Sequence, residues 1–247
     1  MNESKKISAL ILAAGKGTRM KSDLAKVLHL LGGKSLLTYS LDIARAVGSE
    51  KIVVVVGHQA DLVRERFRDQ GLYFVEQVKQ LGTGHAVLQA KDHFDGYLGA
   101  ILILCGDVPC LKVTTVQRLM AHHFEEQATV TVMSIILDDP GGYGRVVKGS
   151  LGSVLKIVEA RDASPDEKKI REINTGIYCA DSRFLFEAVS EIRNDNAQRE
   201  YYLTDIIEIA VKKGLPVRSF IASDPIEVMG INTREDLETA RCHQENA

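Results

Sequence analysis

Three short stretches of the chain, ISALILA (7–13), KIVVVVG (51–57) and AILILCG (100–106), are apolar almost without interruption. A strand with one wet face alternates apolar and polar residues, whereas a continuously apolar strand needs cover on both faces. The intervening segments SLLTYSLDIARAVG (35–48), QADLVRERFRDQ (59–70) and TGHAVLQAKDHF (83–94) carry apolar residues at helical spacing. That alternation predicts a mostly parallel sheet flanked by helices, an α/β Rossmann-like class. TTVQRLMAHHFEEQ (114–127) reads as a further helix and ATVTVMSIIL (128–137) as a further strand. From Asp138 to Lys169 glycine and charge dominate, with short β-like pieces GRVV and VLKIVE. This part reads as hairpins and exposed loops, a small β-rich insertion beside the main sheet. EINTGIYCA (172–180) and PVRSFIA read as strands, and FLFEAVSEI, YYLTDIIEIAVKK and TREDLETARCH as helices. Thr233 can cap the last helix, with Asp236 three residues on. No internal repeat appears, so the expectation is a single domain over 1–247.

Composition narrows the partners. The 247 residues are 45% hydrophobic and 26% charged, enough for a full core. The formal net charge of −2 leaves no basic footprint for nucleic acid or an anionic membrane, while a nucleotide as small ligand stays open. No stretch has the build of a signal peptide or approaches the ~20 apolar residues of a membrane span. Cys105, Cys110, Cys179 and Cys242 are scattered without a C-x-x-C pair. The expected setting is therefore cytoplasmic, with these thiols reduced and packed as small hydrophobes.

The first apolar run ends in a glycine-rich basic loop, ALILAAGKGTRMKS (9–22). The Walker A pattern fails, because no G-K-[ST] follows Gly15 or Gly17. The dinucleotide fingerprint fails at its third glycine, where Met20 stands. The loop is phosphate-binding in kind and matches neither pattern. Ligands of open parallel sheets sit beyond the carboxyl ends of the strands. GKGTR with Lys26, GDVP, EINTG and MGIN all fall at expected strand ends and would face one cleft. Arg19 and Lys26 bring positive charge suited to a departing phosphate chain, unless the loop is a glycine turn with solvent-facing basic residues. Asp107 can hold Mg²⁺ or cap the turn before Pro109. In QVKQLGTGHAV (77–87) the backbone of Gly82 and the hydroxyl of Thr83 could read a planar base, while His85 reads as structural. Glu159, Asn174, Thr204 and Asn232 can bind sugar hydroxyls or a metal, or serve as caps and turns. No Ser-His-Asp order, zinc spacing or histidine cluster stands out.

Taken together, LILAAGKGTRMKSDLAKVLH, QLGTGHAVLQA, CGDVP, GYGRVV, IVEARDAS, EINTGIY, NAQREYYLTDII and GINTREDL occur in an order that resembles a known family. It is the uridylyltransferase half of the bifunctional N-acetylglucosamine-1-phosphate uridylyltransferase / glucosamine-1-phosphate acetyltransferases, which are sugar nucleotidyltransferases. The resemblance runs from about Ile7 to about Glu238. It implies a nucleotide-diphospho-sugar transferase fold and formation of UDP-N-acetylglucosamine and pyrophosphate from UTP and N-acetylglucosamine 1-phosphate, with Mg²⁺. It implies that Leu12, Ala13, Ala14 and Gly15 touch the nucleotide and that Gln77, Gln80, Gly82 and Thr83 read the uracil. Arg19 and Lys26 match the catalytic cations, Asp107 and Asn232 the Mg²⁺ ligands, and Gly144, Glu159, Asn174 and Thr204 the sugar-binding set. The same chemistry on another sugar or nucleotide, and a non-catalytic nucleotide-sugar-binding module, are the alternatives. Departures from the family are Ala25 for a proline, which would hold Lys26 less rigidly, Cys105 for a tyrosine, Arg161 for a lysine and Ser35 for a proline. Cys105 and Arg161 bear on substrate preference. Members of the family continue into a left-handed β-helix of hexapeptide repeats, and this sequence contains none. The expectation is no acetyltransferase domain and a monomer or small homo-oligomer.

Overall fold

A computed structural model describes residues 6–245. Strands β1 (Ile7–Ala13), β4 (Ile52–Val56) and β6 (Ala100–Cys105) are the three apolar runs. They are joined by β2 (Leu30–Leu31), β3 (Lys34–Ser35), α1 (Leu36–Ala46), α2 (Ala60–Arg66), β5 (Tyr73–Glu76) and α3 (Thr83–Gln89). Then follow α4 (Val113–Glu125), β7 (Val130–Ile136), β8 (Arg145–Lys148), β9 (Val154–Val158) and β10 (Glu172–Asp181). The chain continues through α5 (Ser182–Glu191), α6 (Asp205–Lys212), β11 (Val217–Ile221) and α7 (Arg234–Glu245).

The main sheet has nine strands among the described residues, in the order β11–β7–β10–β6–β1–β4–β5, with the β8–β9 hairpin attached to β10. β1 pairs in parallel with β4 and β6, β4 with β5, and β7 with β11. Alternate residues of β1 explain the unbroken apolar run. Ile7, Ala9, Ile11 and Ala13 enter one core layer with α1, α2 and α4, and Leu10 enters the other with α3, α5 and α6. Each fully covered aliphatic side chain contributes ~1.5–3 kcal/mol. A third small cluster, with Met20, Leu31, Leu36, Ile231 and Ala240, seats α7 against the first loop and β2.

Several elements differ from the sequence reading. β10 is antiparallel to both β6 and β7, so EINTG opens a strand instead of closing one. It still reaches the same sheet edge as the ends of β1 and β6, because an antiparallel strand brings its start there. GLYFVE, expected between helices, forms the edge strand β5, where Tyr73 is exposed and the apolar run is too short to stand out. The expected helices at 59–70 and 83–94 also shorten to α2 and α3, the latter followed by a 3-10 turn over Lys91–Phe94. The capping of α7 is as expected: Asp236 N–H donates to Thr233 Oγ1 (3.1 Å) and Thr233 N–H to Asp236 Oδ2 (2.8 Å).

Candidate active site

The loop after β1 is built around one left-handed glycine. Gly17 has φ +61°, and a Cβ there would lie 2.7 Å from Lys26 Cβ. This close crossing turns Lys26 inward. Its ammonium ion-pairs with Asp107 and donates to Asn232 Oδ1 at 3.1 Å, and Arg19 Nη2 donates to the same oxygen at 3.0 Å. The side chains of Lys26 and Asp107 are only 14% and 18% exposed. Four expected residues from three distant segments thus meet at one point. Asp107 and Asn232 present hard oxygens that suit a cation, and a cation already lies on both.

Ala25, next to this lysine, is tied to a distant residue. Its N–H, which a proline would lack, donates to Gln59 Oε1 at 2.7 Å, and Gln59 Nε2 donates to the Asp23 carbonyl at 2.8 Å. These two bonds tie the loop at the position where the family has a proline ring. Gln59, in the left-handed region at φ +54°, was missed by sequence reasoning, because no local pattern ties it to residue 25.

Leu12, Ala13, Ala14, Gly15, Gln77, Gln80, Gly82 and Thr83 line one cavity of about 290 Å³, together with Lys26, Cys105, Asp107 and Glu200. Every residue expected at the nucleotide is therefore on its wall, and Glu200 was not foreseen. Gln77 is buried and uses its amide within the loop, donating to the Gly82 carbonyl (2.9 Å) and to His85 Nδ1 (3.0 Å). Both bonds stay within the 77–85 loop. His85 is tied into the same network, and burial lowers its pKa. Gly82 has φ +114°, and a Cβ there would lie 2.5 Å from the Tyr201 carbonyl. The segment around Tyr201 clamps the loop: Tyr201 N–H donates to Leu81 O (2.8 Å), and Leu203 N–H to Thr83 Oγ1 (3.0 Å).

The remaining expected residues also meet. Thr204 Oγ1 donates to Glu159 Oε1 at 3.2 Å, and a Cβ on Gly144 would lie 3.4 Å from both Glu159 carboxylate oxygens. Asn174 N–H donates to the Gly144 carbonyl at 2.9 Å. Burial raises the pKa of Glu159, while the Thr204 hydroxyl opposes that shift. An irregularity in the β10–β7 register between Asn174 and Tyr178 brings Gly176 up to β6, where the Cys105 thiol donates to its carbonyl at 3.5 Å. Cys105 thus stands where the two residue sets adjoin, and burial pushes its thiol up to about 12, so it is a neutral wall residue. Arg161 is exposed, two residues past Glu159. Among the described residues no helix is long and apolar enough to cross a membrane, and no group of three or more His, Cys, Asp or Glu side chains could hold a metal ion.

Comparison with known proteins agrees with this geometry. The profile of the MobA-like NTP transferase domain matches residues 9–199. The chain is 50% identical over 236 residues to the "Bifunctional protein GlmU" of Geotalea daltonii, covering 95% of this chain and 52% of that protein. It is 52% identical over 231 residues to the protein of that name from Trichlorobacter lovleyi, covering 93% and 50%. With that from Brevibacillus brevis it shares 47% over 238 residues, covering 96% and 51%. The chain thus spans about half the length of the curated relatives it matches. A glycine-rich loop with two convergent cations, a cavity beyond the carboxyl ends of parallel strands and a profile match over most of the chain lead to one conclusion: the chain belongs to the MobA-like NTP transferase domain family and is a nucleotidyltransferase.

Proposed function

We propose that the chain acts as a single nucleotidyltransferase domain that joins UTP and N-acetylglucosamine 1-phosphate, forming UDP-N-acetylglucosamine and releasing pyrophosphate. The observation that carries this reading is the one cavity on whose wall all the expected nucleotide contacts lie, with Lys26 and Asp107 beside them. The nucleotide lies along Leu12–Gly15, with its base toward the 77–83 loop. Nothing crowds Gly15 within 4 Å of a would-be Cβ, so phosphate oxygens can approach its backbone. Arg19 and Lys26 hold the triphosphate and stabilise the charge on departing pyrophosphate. Glu159, Asn174, Thr204 and Gly144 receive the sugar, and the Thr204 hydrogen bond keeps the Glu159 carboxylate oriented to accept from its hydroxyls.

The attacking oxygen of a sugar 1-phosphate is already anionic. No side chain need remove a proton, which agrees with a His85 bound into its own loop. Catalysis then rests on positioning and charge stabilisation. Asp107 and Asn232 are the residues that would hold Mg²⁺, which when bound would supply positive charge that offsets the repulsion between the two phosphates. The donors fit that ion: they are two hard oxygens that already share the Lys26 ammonium, and Mg²⁺ ordinarily needs few protein oxygens. Cys105 favours a second reading, the same chemistry with another sugar or nucleotide, because a small side chain forms the wall where the two sets adjoin.

The test is pyrophosphate release with Mg²⁺, crossing UTP, dTTP, CTP and GTP with the 1-phosphates of N-acetylglucosamine, glucosamine, glucose and N-acetylgalactosamine. Release with UTP and N-acetylglucosamine 1-phosphate alone is expected. Release with a different pair would move the assignment to the second reading. Silence with every pair, from protein that still binds UTP, would leave a nucleotide-sugar-binding module. Asp107→Ala is expected to abolish Mg²⁺-dependent turnover in a folded protein.

A further inference from the structure

The loop after β6 and the segment entering α7 run side by side, joined by contacts in antiparallel order. At one end the Ile231 N–H donates to the Asp107 carbonyl at 2.8 Å. In the middle Cys110 and Met229 pack on the same small apolar cluster. At the far end Lys112 Nζ reaches Glu227 Oε1 at 2.8 Å and Asp224 Oδ2 at 3.5 Å. The Thr115 hydroxyl donates to the other carboxylate oxygen of Glu227. One side of this ladder begins at Asp107, and the other ends at Asn232. Glu227 is 5% exposed, and a carboxylate that deep persists only when its oxygens are matched, as both are here. Apolar packing alone does not fix the Pro225–Val228 turn, since Ile226 and Val228 border a cavity of about 240 Å³.

We propose that Glu227 is a positioning residue: by clamping Lys112 and Thr115 it sets the separation of Asp107 and Asn232, and with it the affinity of that oxygen pair for a divalent cation. This rests on the proposed role of Asp107 and Asn232 as ligands. Partners that orient metal ligands typically change affinity 10- to 100-fold when removed.

The experiment measures Mn²⁺ binding to the full chain with UTP by electron paramagnetic resonance, and half-saturating Mg²⁺ in the pyrophosphate assay. The variants are Glu227→Gln, Lys112→Met, Lys112→Arg and Asp107→Asn. Glu227→Gln and Lys112→Met are expected to weaken Mn²⁺ binding about 10-fold and to raise half-saturating Mg²⁺ equally, with KM for UTP at saturating Mg²⁺ unchanged. Lys112→Arg is expected to keep the native affinity. Lys112 is 54% exposed, so its variants carry the test if Glu227→Gln does not fold. Native Mn²⁺ affinity in Lys112→Met, with binding lost in Asp107→Asn, would overturn the positioning role and leave the ligands standing, even if Tm fell. Native affinity in Asp107→Asn would overturn the ligand assignment and the inference with it.

Discussion

Gly82 and Gly15 look alike in the sequence and differ in their surroundings. Gly82 sits at φ +114° with the Tyr201 backbone pressed against it, so Gly82→Ala must move one of the two segments that shape the cavity. A loss of about 2 kcal/mol or more in stability is expected by denaturant titration, together with weaker nucleotide binding. Gly15 has open space where a Cβ would go. Gly15→Ala is expected to leave stability within about 0.5 kcal/mol of native while weakening UTP binding, measured calorimetrically. Native UTP affinity in Gly15→Ala would mean that the phosphates do not approach this backbone. The polar loops that line the cavity were legible because GKGTR, QLGTG and GDVP are each local motifs of a few residues. Their bracing was not: Gln59 holds Ala25 from 34 residues away, through a bond that no local spacing announces.

At the scale of an element, α7 does more than close the chain against β2. Its cap carries the site, since Asp236 Oδ2 accepts from the N–H groups of both Thr233 and Asn232 at 2.8 Å. Thr233→Ala removes only the hydroxyl half of the box and is expected to cost about 1 kcal/mol. Asp236→Ala frees the Asn232 backbone as well. It is therefore expected to lower turnover several-fold at limiting Mg²⁺, where Thr233→Ala does not. Equal effects of the two on turnover would mean that the cap does not position Asn232. The capping pattern was readable because its residues are three apart. The antiparallel setting of β10 was not, because β10 and β6 lie about seventy residues apart in sequence and the alternation of side chains along a strand reads the same in either direction.

Across the whole molecule, two groups outside the proposed chemistry oppose each other in acid. His123 lies buried between α4 and β7 against Thr131, and burial lowers its pKa from 6.5 to about 4. The unfolded chain takes up this proton first, so the contribution is complete above pH 6.5 and is lost as pH falls to about 4. The loss is up to about 3 kcal/mol. Asp205 at the start of α6 is raised from 3.8 to about 6, by burial and then by Glu208 and neighbouring carboxylates. Here the folded protein takes up the proton first, so stability rises as pH falls from about 6 toward 3.8. Native protein is expected to lose stability relative to His123→Gln over the first window and to gain it relative to Asp205→Asn over the second, followed by urea titration at each pH. Parallel curves for native and His123→Gln protein would show that the histidine titrates normally.

The alternation of the long strands with helices, the buried character of β1, β4 and β6 and the kinds of residue at the cleft follow from signals spanning a few residues, and such signals survive in a linear chain. Folding alone set the direction of β10, the edge position of β5 and the meeting of Lys26 with Asp107 and Asn232, 81 and 206 residues away. The Glu227 clamp on Lys112 and Thr115 is of the same kind. Contacts across such separations exist only once the layers pack and the loops close, so no local period or spacing encodes them.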